Sequence, residues 1–335
     1  GDVLKPLTAE AAAQQRDSLA KLIYNKLFMY LVIELNKALL PAFRPPDTTT
    51  SVGILDIAGF EIFENNSLEQ LLINLSNEKL HQFFNRHIFK TELEDCISEG
   101  VDATSIKFND NQPCLDLIEG KTGLISMLDD DALMARATDA TWVAKARTVF
   151  AKHSNFIAHV PRAKGKNGDL MFGIKHFAGK VEYSAAGFMT KNIDTPPKEA
   201  VLFMEQSSKT VLNRIAKLTE ADVFGSPEGG TLRRMTIGGG SAKKGAVSGV
   251  YRRSLSSLVE RLERSDPHFI RCLKPNDEQQ CRTFDATVVG EQLRFTGVLE
   301  VVNIRTIGYP MRMSFCEFVQ RFILLMPEAE RRAIF

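Results

Sequence analysis

The residues best suited to chemistry lie in GILDIAGFEIFENNSLEQ, residues 53–70. The apolar pair Ile54–Leu55 delivers Asp56, the chain turns through Ala58–Gly59, and Phe60–Glu61 follow. A carboxylate at the end of a strand suits a hard cation. A glycine beside it lets the backbone approach an anion closely and lets peptide planes reorient. Together these are the parts of a phosphate sensor in a nucleoside triphosphatase. Such a sensor works with a phosphate cradle supplied elsewhere.

The nearest thing to a cradle is EGKTG, residues 119–123, which holds the Gly-Lys-Thr that closes a phosphate-binding loop. The full pattern, G-x-x-x-x-G-K-[ST], needs its first glycine so that consecutive backbone amides can curl around the phosphates. That position here is Leu115, inside the helix-like CLDLIE, and no strand feeds it. A turn that ends a helix is the better account of Gly120–Lys121. GGGSAKKG, residues 238–245, also lacks the flanking strand, helix and spacing. Either the D-x-A-G-F-E match is accidental, or the cradle lies outside these residues.

The elements that must hold Asp56 and Glu61 are legible from periodicity. Leu19, Leu22, Ile23, Leu27, Leu31 and Leu35 place a helix over 8–40, stopped by Pro41, with a loop over 44–50. Residues 51–57 read as a strand apolar enough to be buried on both faces. A second long helix starts near Ser67, where SLEQ has the capping-box form, with Ser67 and Gln70 bonding reciprocally. Its apolar face is Leu68, Leu71, Leu72, Leu75, Phe83, Phe84 and Ile88, fading near Cys96–Gly100. A rod that begins a few residues after a phosphate sensor can carry a small displacement far.

Further on, 113–135, 140–152 and 196–217 read as helical, and 161–169 as a basic loop. LMFGIKHFAGKVEYS alternates on both sides of Ala178–Gly179 and predicts a hairpin. Residues 225–249 are rich in glycine and serine and read as a linker. A helix carrying Leu255, Leu258, Val259 and Leu262 ends near Asp266–Pro267, HFIRCL is a strand candidate, and 285–307 reads as helical with a break at Gly297. Gly308–Tyr309–Pro310 ends that stretch.

Bulk properties bound the rest. With 335 residues the chain can build a sizeable core and one to three domains. A net charge of +1 gives no whole-chain field toward nucleic acid or membrane, so a charged partner must be met by a local patch. The five cysteines form no C-x-x-C pair and have no zinc-like spacing with histidine, as expected of free thiols in a reducing compartment. The run LFMYLVI, residues 27–33, is far shorter than a membrane span. The sequence opens on Gly1, not Met, and closes on AERRAIF within a helical pattern, so it is expected to be a slice of a longer protein.

LDIAGFEIFENNSLEQLLINLSNEKLHQFFNRHIF resembles the second switch and relay helix of the myosin motor. RDSLAKLIYNKLFMYLVIELN, FNDNQPCLDLIEGKTGLISMLDDDALMARATDATW, KHFAGKVEY, DPHFIRCLKPN and EQLRFTGVLEVVNIRTIGYPMR resemble further myosin segments, in family order and over nearly the whole chain. Kinesins share the switch pattern but none of the later motifs. The resemblance implies an α/β fold: a partial P-loop NTPase-like myosin head, mostly helical, with strands of the central transducer sheet. It implies the end of the upper actin-binding subdomain over 1–50, then switch II, relay helix and relay loop over 51–110. The lower actin-binding subdomain follows over 111–224, a flexible basic loop over 225–249, and a helix and central-sheet strand over 250–284. Thiol-type helices over 285–310 lead to the start of the converter at 311–335.

The same resemblance assigns roles. The intact protein would be an actin-activated ATPase using ATP and Mg2+, with the phosphate loop and first switch upstream; the chain alone would not hydrolyse ATP. Asp56 would hold Mg2+ through water, the Gly59 amide would bond the γ-phosphate, and Glu61 would pair with a first-switch arginine; Ile57, Ala58 and Phe60 complete the nucleotide-facing stretch. Asn74 would couple the switch to the relay helix, and Gly297 would be the pivot between the thiol helices. Actin contact would come from the helix–loop–helix near 122–150 and from Arg233, Arg234, Lys243 and Lys244 of the basic loop. It would extend over 254–276, through Leu255, Leu258, His268, Phe269, Ile270, Arg271, Lys274, Pro275 and Asn276, with a weaker contact from Arg162, Lys164 and Lys166.

A light chain or calmodulin would bind beyond the C-terminus, and the location would be cytoplasmic, on the cytoskeleton. The sequence departs from the family where a relay-loop tryptophan is Ala103, two thiol positions are Phe295 and Arg305, and a glycine after Glu300 is Val301. A different reading is a naturally short actin-binding or regulatory module without ATPase activity.

Overall fold

A computed structural model of the chain describes residues 6–39, 52–98, 100, 110–132, 134, 136–158, 168–193, 198–218, 246–307, 311, 313–325, 327 and 331. The chain forms two compact units, each assembled from separated stretches of sequence. One comprises Gly1–Ile57, Lys121–Trp142 and Ala186–Ser254; the other comprises Ala58–Gly120, Val143–Ala185 and Leu255–Phe335.

In the first unit, α1 (Ala9–Leu39) is the long helix predicted from its leucine spacing. It packs on α8 (Thr210–Ala216), which also carries α7 (Lys198–Glu205). Met204, Ile215 and Ala216 are the buried centre there, with Leu22, Ile23 and Tyr30 of α1 against them. The predicted single helix over 196–217 is thus two helices, with Lys209 in extended conformation before the second. Helix α4 (Leu124–Asp131) packs on the short α6 (Phe188–Asn192). Trp142, at the start of α5 (Asp139–Val149), stacks obliquely on Phe188 with ring centroids 5.5 Å apart, and both rings are fully buried. The Asp139 carboxylate accepts from the Gly187 and Met189 amides at 2.7 and 3.0 Å, which satisfies donors at the start of α6.

In the second unit, α2 (Leu68–Ser98) is the organising rod. The predicted hairpin is present: β2 (Met171–Lys175) pairs antiparallel with β3 (Lys180–Ser184), and β1 (Phe156–Ile157) adds an edge strand. Helix α3 (Gln112–Glu119) and strand β3 both pack on α2. Leu68, Leu71, Leu72, Leu75 and Phe84 of α2 join Phe172, Ile174, Val181 and Tyr183 in the core. Helix α9 (Val247–Glu263) starts within the last residues of the predicted linker; 225–245 lie outside the described residues. Among the described residues the remaining α-helices are α10 (Ala286–Phe295), α11 (Val298–Ile307) and α12 (Phe315–Phe322).

Three further expectations about elements are corrected. Residues 52–57 form no strand, and Val52 and Ile54 are 96% and 94% exposed. HFIRCL forms no strand either, with Ile270 87% exposed. An apolar run becomes a buried strand only where neighbouring strands take its N–H and C=O groups, and none of the described residues pairs with either run. The three-stranded antiparallel sheet formed here is the hairpin sheet, not one built on those two runs. The predicted helix over 113–135 is α3 and α4 separated by Gly120–Gly123, so EGKTG is an inter-helix turn and not a phosphate loop. A Cβ on Gly120 would sit 2.4 Å from the Asp116 carbonyl oxygen, which is why the turn takes glycine.

Candidate functional site

The segment after Asp56 is held by one face of α2. Gln70, Asn74 and Asn77 follow at helical spacing, and each reaches into residues 58–61. Asn74 is fully buried, and its side chain closes a two-point clamp on the backbone of Glu61. Its Oδ1 accepts from the Glu61 amide at 2.8 Å, and its Nδ2 donates to the Glu61 carbonyl at 2.8 Å. Asn77 donates to the Ala58 carbonyl at 3.2 Å, and Gln70 Nε2 lies 3.4 Å from the Glu61 carboxylate. Gln70 Oε1 also accepts from the Ser67 amide at 2.9 Å, the backbone half of the predicted capping box.

Behind the clamp is a buried polar network. Asn74 Nδ2 lies 2.9 Å from the Tyr183 hydroxyl on β3, which lies 2.8 Å from His176 Nε2. His176 Nδ1 lies 2.9 Å from Glu78 Oε1, which also accepts from the Phe177 amide at 2.9 Å. Asn111 bonds both the carbonyl and the carboxylate of Glu78. A neutral imidazole with its proton on Nδ1 satisfies the line in one direction: Asn74 donates to Tyr183, Tyr183 to His176, and His176 to Glu78.

Burial alone would raise the Glu78 carboxyl; the hydrogen bond and electrostatic attraction from His176, with hydrogen bonds from Asn111 and the Phe177 amide, outweigh it and hold the group below its ordinary value. Burial, and then the Glu78 charge, push the Cys114 thiol up; burial does the same to the Tyr183 phenol. Glu78, Cys114 and His176 are close enough to share a metal ion. Yet Glu78 Oε1 is already taken by the Phe177 amide and His176, and Cys114 Sγ stands 3.4 Å from it as a protonated donor. The trio is therefore a filled hydrogen-bond network, not an open coordination site.

Phe60 carries the same segment onto other elements. Its ring is 5.1 Å from His176 and 5.4 Å from Phe177, edge-on, and 6.0 Å from Phe295, stacked. Phe295 is one of the two positions where a thiol was expected, so an aromatic contact occupies that place.

The other predicted site residues divide by exposure. Asp56, Ile57, Ala58 and Gly59 are exposed, and a Cβ on Gly59 would meet nothing within 4 Å. Leu255 and Asn276 are buried; Asn276 closes its own loop through Gln280 and Thr283. Leu258 and Phe269 are half-buried, Phe269 against Phe83, Phe84 and His87. His268, Ile270, Arg271, Lys274 and Pro275 are exposed, and the Arg271 guanidinium lies 4.7 Å from the centre of the Phe84 ring. The Lys274 backbone is clamped by Gln292, through its amide at 2.8 Å and its carbonyl at 2.9 Å. Gly297 has φ +71° between α10 and α11. Arg233, Arg234, Lys243 and Lys244 lie outside the described residues, as do Ala103, Arg162, Lys164 and Lys166.

Sequence reasoning missed Glu78, His176, Tyr183 and the hydrogen bonds of Gln70 and Asn77 to residues 58–61. A signal was present: Asn74, Glu78, His81 and Asn85 recur at three- and four-residue spacing within a helix whose leucines are also buried. A helix with polar residues at buried spacing carries an internal network, because buried polar groups must be paired.

The family model for the myosin head (motor domain) matches residues 2–334, and the chain belongs to that family. It is 38% identical over 328 residues to Myosin-2B of Naumovozyma castellii, covering 97% of this chain and 23% of that protein. It is 40% identical to unconventional myosin-Va of Homo sapiens, covering 98% of this chain and 18% of that one, and 36% identical to Myosin-IIIa of Mus musculus, covering 96% and 21%. The chain therefore spans roughly a fifth of the length of these relatives. The expected α/β myosin-head fold, mostly helical, is the one present. Among the described residues no helix is long and apolar enough to cross a membrane.

Proposed function

We propose that this chain is the second-switch, relay, actin-binding and converter-entry part of an actin-activated myosin ATPase. The observation that carries the reading is the grip of Gln70, Asn74 and Asn77 on residues 58–61. A phosphate sensor bonded to one face of a 31-residue helix is the arrangement that turns a local rearrangement into movement of a rod.

In this reading Asp56 holds Mg2+ through water, and residues 57–60 line the nucleotide side. The residues present fit that role. The Asp56 carboxylate is exposed, and the open space around Gly59 leaves its amide approachable by a phosphate oxygen. Bound Mg2+ would neutralise charge developing on the transferred phosphoryl group. Glu61 presents its carboxylate from a backbone fixed by Asn74, ready to meet a cation of the first switch. The partners proposed are an actin filament and, beyond the converter, a light chain or calmodulin, in the cytoplasm on the cytoskeleton. Actin contact falls to the basic loop and to the exposed His268, Ile270, Arg271 and Lys274, while Leu255 and Asn276 hold their segments in place.

The test is ATP turnover with and without actin filaments, measured on the full-length protein and on this chain alone. The expected result is actin-stimulated hydrolysis by the full-length protein and none by the chain. Actin binding by a full-length protein that turns over no ATP would replace the motor reading with that of a binding or regulatory module.

A further inference from the structure

We propose that Tyr183 is a positioning residue for the second switch: anchored by the Glu78–His176 pair, its hydroxyl orients the Asn74 amide that clamps the backbone of Glu61. The inference rests on reading residues 56–61 as a switch, and it deepens that reading.

The geometry carries it as follows. An asparagine side chain can be rotated by half a turn about its last bond, exchanging oxygen and nitrogen, with little change in shape. The Glu61 backbone accepts only one of these orientations, with Oδ1 facing the amide and Nδ2 facing the carbonyl. Tyr183 supplies an oxygen on the Nδ2 side at 2.9 Å, which reinforces that orientation. Tyr183 can favour the Asn74 nitrogen as its donor only if its own proton goes elsewhere, and His176 Nε2 at 2.8 Å takes it. The imidazole in turn accepts at Nε2 only if its proton sits on Nδ1, and Glu78 Oε1 at 2.9 Å holds it there. Glu78, His176, Tyr183 and Asn74 are each buried, so water does not substitute for a missing member. The line joins the hairpin β2–β3 to the switch through two residues of α2. Neither β2 nor β3 need touch the nucleotide for their positions to set the Glu61 backbone.

The experiment is amide hydrogen exchange at Glu61 in the full-length protein, alongside steady-state ATP turnover. Tyr183→Phe removes the hydroxyl and keeps the ring. It should raise exchange at the Glu61 amide about tenfold, the size expected when a buried donor loses its partner. In an Asn74→Ala background the same change should add nothing, because the hydroxyl acts only through that amide. Two histidine variants give an independent reading. His176→Gln places an acceptor near the Nε2 position and should keep protection at Glu61, whereas His176→Asn places its amide near Nδ1 and should lose protection as Tyr183→Phe does.

Unchanged exchange in Tyr183→Phe, or an equal increment in the Asn74→Ala background, overturns the proposal. So does equal loss in the two histidine variants. In an active motor Tyr183→Phe should lower kcat and leave KM for ATP unaltered; a rise in KM with kcat intact contradicts it. If the wild-type protein turns over no ATP while the exchange pattern holds, the motor reading fails and the positioning role stands.

Discussion

Asn74 is where sequence, packing and proposed function meet in a single side chain. Removing its amide as Asn74→Ala strips partners from the Glu61 amide, the Glu61 carbonyl and the Tyr183 hydroxyl together. Groups left unpaired in a buried site cost more than the bond itself, so the variant should lose about 3 kcal/mol in denaturant unfolding. Gly59 gives the opposite expectation. Nothing lies within 4 Å of an added Cβ there, and its φ is not in the left-handed region. Gly59→Ala should therefore leave the melting midpoint of the chain within error while abolishing nucleotide turnover in the full-length protein; a lowered midpoint would assign the glycine to folding instead.

Glu78 adds a pH signature. Its folded-state carboxyl is held below its ordinary value of 4.5, so the unfolded chain takes up the proton first on acidification. The stability it contributes is complete above that value and is lost as pH falls through the lower folded-state value. Glu78→Gln should flatten the acid limb of a stability-against-pH curve below pH ~4.5 and leave the slope near neutrality alone.

At the level of elements, glycines mark where helices must stop. Gly297 ends α10 with φ +71°, donating to the Arg294 carbonyl at 3.2 Å before α11 begins. A side chain in that conformation is strained, so Gly297→Ala should cost about 1 kcal/mol, read from the shift in denaturant midpoint at constant slope. Gly120→Ala should cost more, because its Cβ would press on backbone, the Asp116 carbonyl, which cannot rotate away as a side chain can. The Gly297 break was legible in sequence as a glycine interrupting helical periodicity; Gly120–Lys121 was legible as a turn that ends a helix, but the periodicity of 113–135 read across it.

The hairpin was legible because its alternation and turn are local. The two missing strands were not, because an apolar run such as Gly53–Ile57 has the same composition whether or not a neighbour exists to pair with it. The polar line from Asn74 to Glu78 was half legible. The helical spacing of its α2 members can be read off, but Tyr183 lies 109 residues from Asn74, and only the packing of β3 on α2 brings them together.

Two whole-molecule properties are open to measurement. The first is thiol accessibility. Cys96 and Cys114 are buried, and Cys272, Cys281 and Cys316 are exposed, so a thiol reagent should label three sites rapidly in the native chain and all five after unfolding. Cys114 should be the slowest of all, since burial and the Glu78 charge both suppress its thiolate.

The second property is the response to salt. A net charge of +1 gives the molecule no overall attraction for an acidic filament, so any steering must come from where its cations are grouped. Arg233, Arg234, Lys243 and Lys244 fall within twelve residues that hold no acid. Solvent-exposed charges in general act at long range and are screened over roughly 8 Å at physiological ionic strength, so they influence encounter more than the final contact. Neutralising all four to glutamine should slow association with actin filaments at low salt several-fold and flatten its salt dependence, while dissociation and the melting midpoint stay as in the wild type. Faster dissociation with an unchanged association rate would place these side chains inside the bound contact, and the steering would then have to be sought in the exposed cations Arg271 and Lys274.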